Sequence, residues 1–220
     1  MAKRSGKSWV VLLNDGGLRS LVATAMQADS EQMVLVFVDD GRLNSSACRA
    51  SFLKQANRYS DNHSERYNAL KQMELLAPHL RQSTPPTNTP GPKPTRAPLA
   101  DLQLIAAAAS VALQHHAQRL IWPIQCGDDI QAMAHATETI LTVQQLVRFV
   151  HDVDLSIETP LMELSDRQML EVGHQLGVPW EMAQTCLDGA PDPCHKCTGC
   201  LWRKDIFKRA ALQDPLGDVG

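Results

Sequence analysis

The chain has 220 residues, of which 44% are hydrophobic, so it can bury a full core as one domain with a small appendage. Its formal net charge of -3 gives no basic surplus, which argues against direct nucleic-acid binding driven by charge. The longest apolar stretch, around Leu104 to Leu113, is too short and too rich in alanine to span a membrane, and it predicts a buried helix.

The start of the chain predicts a βαβ unit. Trp9 to Leu13 and Val34 to Val38 are continuous apolar runs, which are typical of buried parallel strands. Between them, apolar residues recur at helical spacing from Leu18 to Met26, directly after the turn at residues 14–17. A right-handed crossover onto a parallel sheet follows from this order. Another helix is predicted from Ser45 or Ser46 through about Arg58.

The second half of the chain continues the alternation of helices and strands. We expect a helix from Leu99 to Gln118, a short strand from Arg119 to Ile124 and a helix from about Ala134 to His151. Ser165 is the predicted N-cap of a further helix over Asp166 to Leu176. This alternation predicts an α/β fold, a doubly wound sheet with helices on both faces.

Residues 82–98 interrupt this pattern with a stretch rich in proline and threonine that cannot form a packed element. Because the same architecture continues after them, they predict a mobile loop within one domain. We therefore divide the chain into an α/β domain over residues 1–180 and a C-terminal metal-binding segment over residues 181–220.

Near the end of the chain, four cysteines follow the spacing C-x7-C-x2-C-x2-C: Cys186, Cys194, Cys197 and Cys200. The spacing is typical of a closed tetrahedral thiolate site, and it predicts structural zinc, with disulfides and an iron-sulfur cluster as the alternatives. His195 lies inside this block and is predicted to stay outside the ligand shell. A closed shell leaves no position for water or substrate, so the site does not reveal what the protein does.

Cys48 and Cys126 lie far apart in sequence and are predicted to be lone thiols. The polar first residues lack the pattern of a secretory signal, so the expected location is the cytoplasm.

Acidic pairs follow two of the predicted strands. Asp39 and Asp40 precede Gly41, and Asp128 and Asp129 follow Gly127. Carboxylates at strand ends can bind metal or transfer protons, but turns of this kind favour acidic residues for local hydrogen bonding. Both explanations stay open for each pair.

The turn after the first strand, Asp15-Gly16-Gly17-Leu18-Arg19-Ser20, resembles the S-G-G-x-D-S loop of the PP-loop ATP pyrophosphatases. The C-terminal region is more specific. Thr159-Pro160-Leu161, Leu176-Gly177-Val178-Pro179, the cysteine block and Arg203 to Phe207 resemble, in order, the 7-cyano-7-deazaguanine synthases of queuosine biosynthesis. The resemblance covers both ends, extends more loosely over Leu99 to Leu161, and is absent from residues 58–98.

This resemblance implies a Rossmann-like adenine-nucleotide hydrolase fold. It also implies an ATP-dependent ligase that adenylates a deazaguanine carboxylate and uses ammonia to form first the amide and then the nitrile. The implied ligands are ATP with Mg2+, a small deazapurine-like acid and structural Zn2+, and a homodimer through the C-terminal region is plausible on the same grounds. No residue is assigned to catalysis. The implied nucleotide-binding residues are Gly16, Gly17, Leu18, Arg19, Ser20, Asp39 and Gly41.

Two positions in the loop depart from the family pattern. Asp15 stands where a serine is expected, and Arg19 stands where an aspartate is expected. A carboxylate repels phosphate, and arginine cannot ligate magnesium. We favour the explanation that Asp15 and Arg19 bond to each other while the carboxylate fills the helix N-terminus in place of phosphate. Alternatively, Arg19 binds a phosphate or acidic substrate through two hydrogen bonds.

The chain is accordingly either a ligase, on the family substrate or an altered one, or a pseudoenzyme that binds a nucleotide or a partner without turnover.

Overall fold

Five parallel strands form one sheet in the structure, a computed structural model that describes residues 9–27, 32–61, 70–77, 99–190 and 192–217. The strands pair in the order β3-β2-β1-β4-β5. They span Trp9–Leu13 (β1), Gln32–Asp39 (β2), Leu70–Leu76 (β3), Arg119–Ile121 (β4) and Ser156–Glu158 (β5).

Helices cover both faces of this sheet. They span Leu18–Gln27 (α1), Ser45–Asp61 (α2), Ala100–Gln114 (α3), Ile130–His151 (α4), Asp166–Gln175 (α5) and Thr198–Arg209 (α6). Buried residues of α1, α2, α5 and α6 pack in one cluster with Val10 and Leu12, whereas those of α3 and α4 pack in another with Val11 and Leu13. Successive strand side chains point to opposite faces, so β1 must be apolar throughout.

The strand order creates a switch point beside β1. The chain moves from β1 to β2 and β3 on one side, and then returns to place β4 on the other side of β1. The loops that follow β1 and β4 therefore diverge at the carboxyl edge of the sheet, where ligands of open α/β sheets bind.

The predicted α/β architecture is confirmed, and β1 has the predicted bounds. Ser165 is the N-cap of α5, and it forms a capping box with Gln168. In contrast, α3 ends at Gln114, because the chain turns at His116, whose φ is +53°. The strand β4 ends at Ile121, close to Pro123, which has no N–H to donate to a neighbouring strand.

Three elements were not predicted: β3, β5 and α6. The sequence of β3, Leu-Lys-Gln-Met-Glu-Leu-Leu, mixes polar and apolar residues because it lies at the edge of the sheet and pairs only with β2. β5 has three residues, too few for a recognisable pattern. The predicted loop at 82–98 lies outside the described residues. In the parts that are described, no helix has the length and apolar character needed to cross a membrane.

Candidate functional site

Two buried amides hold the turn after β1 in place. Asn14 Nδ2 donates to Thr24 Oγ1 and to Gln55 Oε1, each at 3.0 Å, and Asn14 Oδ1 accepts from the Gly16 N–H at 2.8 Å. Gln55 Nε2 donates to the carbonyls of Gly16 at 2.9 Å and Met182 at 3.1 Å. The turn is therefore tied to α1, to α2 and to the segment that leads to the cysteines.

Gly16 has no space for a side chain. Its φ is +77°, and a Cβ atom would lie 2.2 Å from the carbonyl oxygen of Cys48 in α2. Both the backbone conformation and the close approach of α2 require glycine here. The first glycine of the loop thus serves the packing of the turn against α2, whatever ligand the loop binds.

The Asp15 carboxylate accepts hydrogen bonds from its own loop. Asp15 Oδ1 accepts from the Gly17 N–H at 2.9 Å and from the Ser20 hydroxyl at 2.6 Å. Ser20 Oγ in turn accepts from the Asp15 N–H at 3.1 Å. The negative end of this side chain lies at the start of α1, where the helix dipole stabilises an anion. One loop amide and the serine hydroxyl are thereby occupied.

The predicted bond between Asp15 and Arg19 is wrong. Within the described residues, Arg19 does not bond to Asp15. Its Nε donates to Gln125 Oε1 at 2.7 Å, and its guanidinium carbon lies 5.1 Å from the centre of the Trp202 ring. Gln125 follows β4 and Trp202 lies in α6, so both partners are distant in sequence. Arg19 is directed across the switch point, away from its own helix start.

The acidic pair at the end of β2, Asp39 and Asp40, is engaged in local bonds. Asp39 Oδ1 accepts from the Ser45 hydroxyl at 2.5 Å and from the Gly41 N–H at 2.8 Å, and these two bonds, with Ser45 the larger cause, lower the pKa of Asp39. Asp40 accepts from Arg42 Nε at 2.8 and 3.0 Å. The geometry matches an acidic turn that supports the start of α2.

The second acidic pair also has a structural role. Asp129 is the N-cap of α4, where its carboxylate accepts from the Ala132 N–H at 3.0 Å, and Asp128 is exposed. Just before them, the N–H groups of Cys126 and Gly127 both donate to the carbonyl of Met162. Cys48 is buried, and burial raises its pKa to about 11, which disfavours the reactive thiolate.

The structure brings the four predicted metal ligands together. The sulfur atoms of Cys186, Cys194, Cys197 and Cys200 lie within 4.8 Å of one another, and in the described chain they are the one such group of His, Cys, Asp or Glu side chains that could hold a metal ion. Sulfur ligands of one tetrahedral ion with bonds of 2.3 Å lie about 3.8 Å apart, so the four thiols fit a single ion.

Backbone N–H groups surround this cluster. The N–H groups of Leu187, Cys194 and Cys197 donate to the sulfurs of Cys197, Cys186 and Cys194, at 3.3, 3.4 and 3.4 Å. Backbone N–H groups of Lys196 and Cys197 lower the pKa of Cys194 to about 6, whereas burial raises the pKa of Cys200 to about 12. A cation held by these four sulfurs would supply the charge that keeps all of them deprotonated.

Arg203 connects the cysteine segment to the rest of the protein. It is 3% exposed, and its Nε and one terminal nitrogen donate to the Asp214 carboxylate at 2.8 to 3.1 Å. Its remaining bonds reach the carbonyls of Ala183 at 2.8 Å and Trp180 at 2.9 Å. Every nitrogen of this buried guanidinium is used, as burial of a charge requires.

The predicted loop residues and the predicted residues after β2 thus lie at the carboxyl edge of neighbouring strands, while the cysteines form a separate centre. Four residues with central contacts were missed: Asn14, Gln55, Gln125 and Trp202. Arg19 lies 106 residues from Gln125, and Gln55 lies 127 residues from Met182, so no short sequence pattern marks these contacts.

Known proteins were compared in three ways: by family profile, by curated sequence and by solved structure. A profile of the family described as queuosine biosynthesis protein QueC matches residues 9–211. The 7-cyano-7-deazaguanine synthase of Trichodesmium erythraeum is 37% identical over 62 residues, or 28% of each chain. That of Persephonella marina is 26% identical over 130 residues, or 57% of each chain. These matches span little more than half of the curated relatives, or less.

The third result concerns a solved structure, the U34-tRNA thiolase NcsA from Methanococcus maripaludis with its [4Fe-4S] cluster. It superposes with a TM-score of 0.52 at 13% identity, covering 92% of this chain and 65% of that one. At this identity, the likeness concerns the fold alone.

Proposed function

Because the chain belongs to the QueC family of queuosine biosynthesis proteins, we propose that it is an ATP-dependent ligase of the 7-cyano-7-deazaguanine synthase type. The observation that carries the proposal is the match over residues 9–211, which includes both the loop after β1 and the cysteine segment. The position of that loop at the switch point supports it, since ligands of such sheets bind there.

In the proposed reaction, the carboxylate of a 7-deazaguanine acid attacks the α-phosphorus of ATP and pyrophosphate leaves. Ammonia then attacks the acyl carbon, AMP leaves, and an amide forms with loss of a proton. A second ATP activates the amide oxygen in the same way. Departure of AMP and of the remaining N–H protons leaves the nitrile. ATP is the substrate that supplies both leaving groups, and Mg2+ is the proposed counterion of its phosphates.

The proposed nucleotide site consists of Gly16, Gly17, Leu18, Arg19 and Ser20, with Asp39 and Gly41 beside it. Leu18 is only 2% exposed, so its contribution is restricted to its backbone. Since Asp15 already accepts from the Gly17 N–H, the site is preorganised but partly filled. Displacement of the Asp15 carboxylate is needed before phosphate can use that amide.

We propose zinc for the cysteine cluster, in a structural role. The sulfurs lie within 4.8 Å of one another, with Cys186 and Cys197 4.0 Å apart, close to the spacing around one tetrahedral ion. An iron-sulfur cluster places its cysteines on different iron atoms and needs a wider cavity. Elemental analysis should give one zinc per chain. Stoichiometric iron with visible absorbance would contradict the assignment.

The direct test incubates the protein with ATP, Mg2+, ammonium and 7-carboxy-7-deazaguanine, and follows the deazapurine by mass spectrometry. We expect conversion first to the amide and then to the nitrile. The matched variant is Asp15→Ser with Arg19→Asp, which restores the family loop and should form the same products when Mg2+ is present. If neither protein forms amide or nitrile from this acid, the proposed activity on the family substrate is wrong.

A second candidate function follows from the contacts of Asp15. Its carboxylate occupies the Gly17 amide and the Ser20 hydroxyl, as expected of a pseudoenzyme that keeps the fold to bind a partner or nucleotide. This candidate predicts no turnover by the native chain, and ATP binding that improves in the double variant. Calorimetric titration of both proteins with ATP and Mg2+ distinguishes it from an active ligase.

Two further proposals concern the setting of the protein. The four clustered cysteines are arranged for a metal ion and not for disulfides, which supports a reducing compartment such as the cytoplasm. A homodimer is proposed from the family resemblance, and light scattering coupled to gel filtration will test it.

A further inference from the structure

We propose that Arg19 forms an oxyanion-binding site at the switch point, in which the end of its guanidinium binds a carboxylate or phosphate group without a divalent cation. The inference rests on the proposed function for the location of the ligand, but not on turnover. Arg19 stands where the resemblance expects an aspartate, so the site belongs to this chain rather than to the family pattern.

The direction of the Arg19 side chain is fixed by hydrogen bonds. Its Nε donates to Gln125 Oε1 at 2.7 Å, and Gln125 Nε2 donates to the carbonyl of Leu164 at 2.8 Å. The second bond fixes which end of the Gln125 amide faces Arg19, since only the oxygen can accept from Nε. Gln125 is thus a positioning residue that orients the guanidinium.

One face of the Arg19 guanidinium packs against an aromatic ring. Arg19 lies over the Trp202 ring, with 5.1 Å between the guanidinium carbon and the ring centre. Trp202 Nε1 donates to Asp166 Oδ2 at 3.1 Å, which fixes the plane of the ring. Asp166 also lies 3.5 Å from the guanidinium of Arg209, so its negative charge is partly balanced. Stacking of this kind orders the arginine side chain before a ligand binds, so less side-chain entropy is lost on binding.

The two terminal nitrogens of Arg19 remain as hydrogen-bond donors. In the described part of the chain, neither terminal nitrogen of Arg19 has a hydrogen-bond partner, and the side chain is exposed. These two nitrogens form the end of the guanidinium, which matches the two oxygens of a carboxylate or phosphate. Their use requires no movement of Gln125 or Trp202.

The loop itself has few donors left for an anion, so a side chain must bind it. Asp15 Oδ1 occupies the Gly17 N–H and the Ser20 hydroxyl, so these two loop donors are not open to an anion. A permanent positive charge at Arg19 supplies the attraction that the filled loop lacks. Because arginine stays protonated, the site needs neither Mg2+ nor acidic pH to be charged.

The test titrates the whole 220-residue chain, loaded with zinc, by calorimetry with two separate probes, ATP and 7-carboxy-7-deazaguanine, with Mg2+ omitted. The variants are Arg19→Gln, which removes the charge, and Arg19→Lys, which keeps the charge but loses the paired donors. Arg148→Gln is the matched control, because it removes an exposed arginine near the end of α4, at the opposite edge of the sheet. Thermal melting of each variant checks that it is folded.

We expect at least one probe to bind the native chain and Arg148→Gln equally without Mg2+. Affinity should fall about tenfold to a hundredfold in Arg19→Gln, as for loss of a charge-assisted bidentate pair. Arg19→Lys should recover only part of that loss. The probe that responds identifies the oxyanion as a phosphate or a carboxylate.

Three results would overturn the inference: no binding of either probe by the native chain at millimolar concentration, binding that requires Mg2+, or equal affinity in Arg19→Gln and Arg148→Gln. None of these results is the same as failure of the proposed activity. Loss of product with oxyanion binding intact would remove the ligase proposal and leave the Arg19 site standing.

Discussion

At the scale of single residues, the two glycines Gly16 and Gly177 offer a controlled comparison. Both have positive φ, +77° and +65°, but a Cβ at Gly16 would lie 2.2 Å from the Cys48 carbonyl, whereas no atom lies within 4 Å of one at Gly177. Gly177→Ala should therefore cost about 1 kcal/mol, from backbone strain alone. Gly16→Ala should cost about 2 to 5 kcal/mol, because displacement of α2 is added. Urea unfolding measures both, and equal costs would contradict the packing argument.

The Asp39–Ser45 bond predicts a pH-dependent effect. The Ser45 hydroxyl and the Gly41 N–H hold the pKa of Asp39 below its ordinary value, so the ionised carboxylate stabilises the fold at neutral pH. This stabilisation is lost as the pH falls through the folded-state pKa of Asp39. Ser45→Ala should thus lower the free energy of unfolding at pH 7, and the difference from the native chain should shrink on acidification.

The control for this experiment is Ser60→Ala in the same helix, where the hydroxyl donates to the Asn57 carbonyl, as a helical serine often does. Its effect on unfolding should not change between pH 7 and pH 3. A Ser45→Ala difference that persists at low pH would show that the hydroxyl acts on the helix start and not on the charge of Asp39.

At the scale of elements, α5 depends on its N-terminal cap. Ser165 and Gln168 exchange hydrogen bonds in a capping box, and Asp166 just after the cap also bonds to Trp202. Ser165→Ala should lower the free energy of unfolding by about 1 kcal/mol. Ser110→Ala within α3 is the control, since its exposed hydroxyl donates to a carbonyl of its own helix, and its effect should stay within about 0.5 kcal/mol. Chemical denaturation distinguishes the two.

The attachment of α6 to the sheet depends on Arg203. Because this guanidinium is buried with Asp214 and two carbonyls, Arg203→Gln leaves an uncompensated carboxylate and should cost about 3 to 5 kcal/mol. Arg167→Gln breaks the exposed pair with Glu171 in α5 and should cost less than about 0.5 kcal/mol. Comparable melting temperatures for the two variants would mean that the buried pair adds little to the fold.

At the scale of the whole molecule, the cysteine cluster joins the C-terminal segment to the core. The Cys186 carbonyl accepts from Asn44 of the β2–α2 connection at 2.9 Å, and α6 contributes Ile206 and Phe207 to the same buried cluster as β1. If the proposed zinc is bound, its removal by a chelator should therefore lower the melting temperature by about 10 °C, because the metal-binding energy no longer contributes to folding. Re-addition of zinc should restore the melting temperature. Metal affinity should decrease as the pH is lowered, because protons compete for the thiolates.

A melting temperature that does not respond to chelation, with zinc loss verified by elemental analysis, would show that Arg203 and the core packing of α6 hold the segment without metal. A homodimer, if formed, would make the melting temperature depend on protein concentration. Melting curves at several protein concentrations therefore separate the effect of dimerisation from the effect of zinc.

Much of the fold was accessible from the sequence because its information is local. Continuous apolar runs predicted β1 and most of β2, helical spacing predicted α1 and α2, and Ser165 marked the start of α5. The cysteine spacing predicted the ligand set whose sulfurs the structure brings together. Three elements escaped this treatment, because β3 and β5 are defined by pairing and α6 packs through few buried positions.

The sequence by itself determined the α/β class, the four cysteines that cluster and the family resemblance, because each depends on residue type and short spacing along the chain. Only the tertiary structure decided the direction of Arg19 and the contacts of Asp15. Four-residue spacing allowed an ion pair between them, but Gln125 and Trp202 approach Arg19 only once β4 has paired with β1 and α6 has packed. The partners of a side chain at a switch point are distant in sequence, so they cannot be identified from local spacing. Only the folded backbone determines which of them lie within hydrogen-bonding distance.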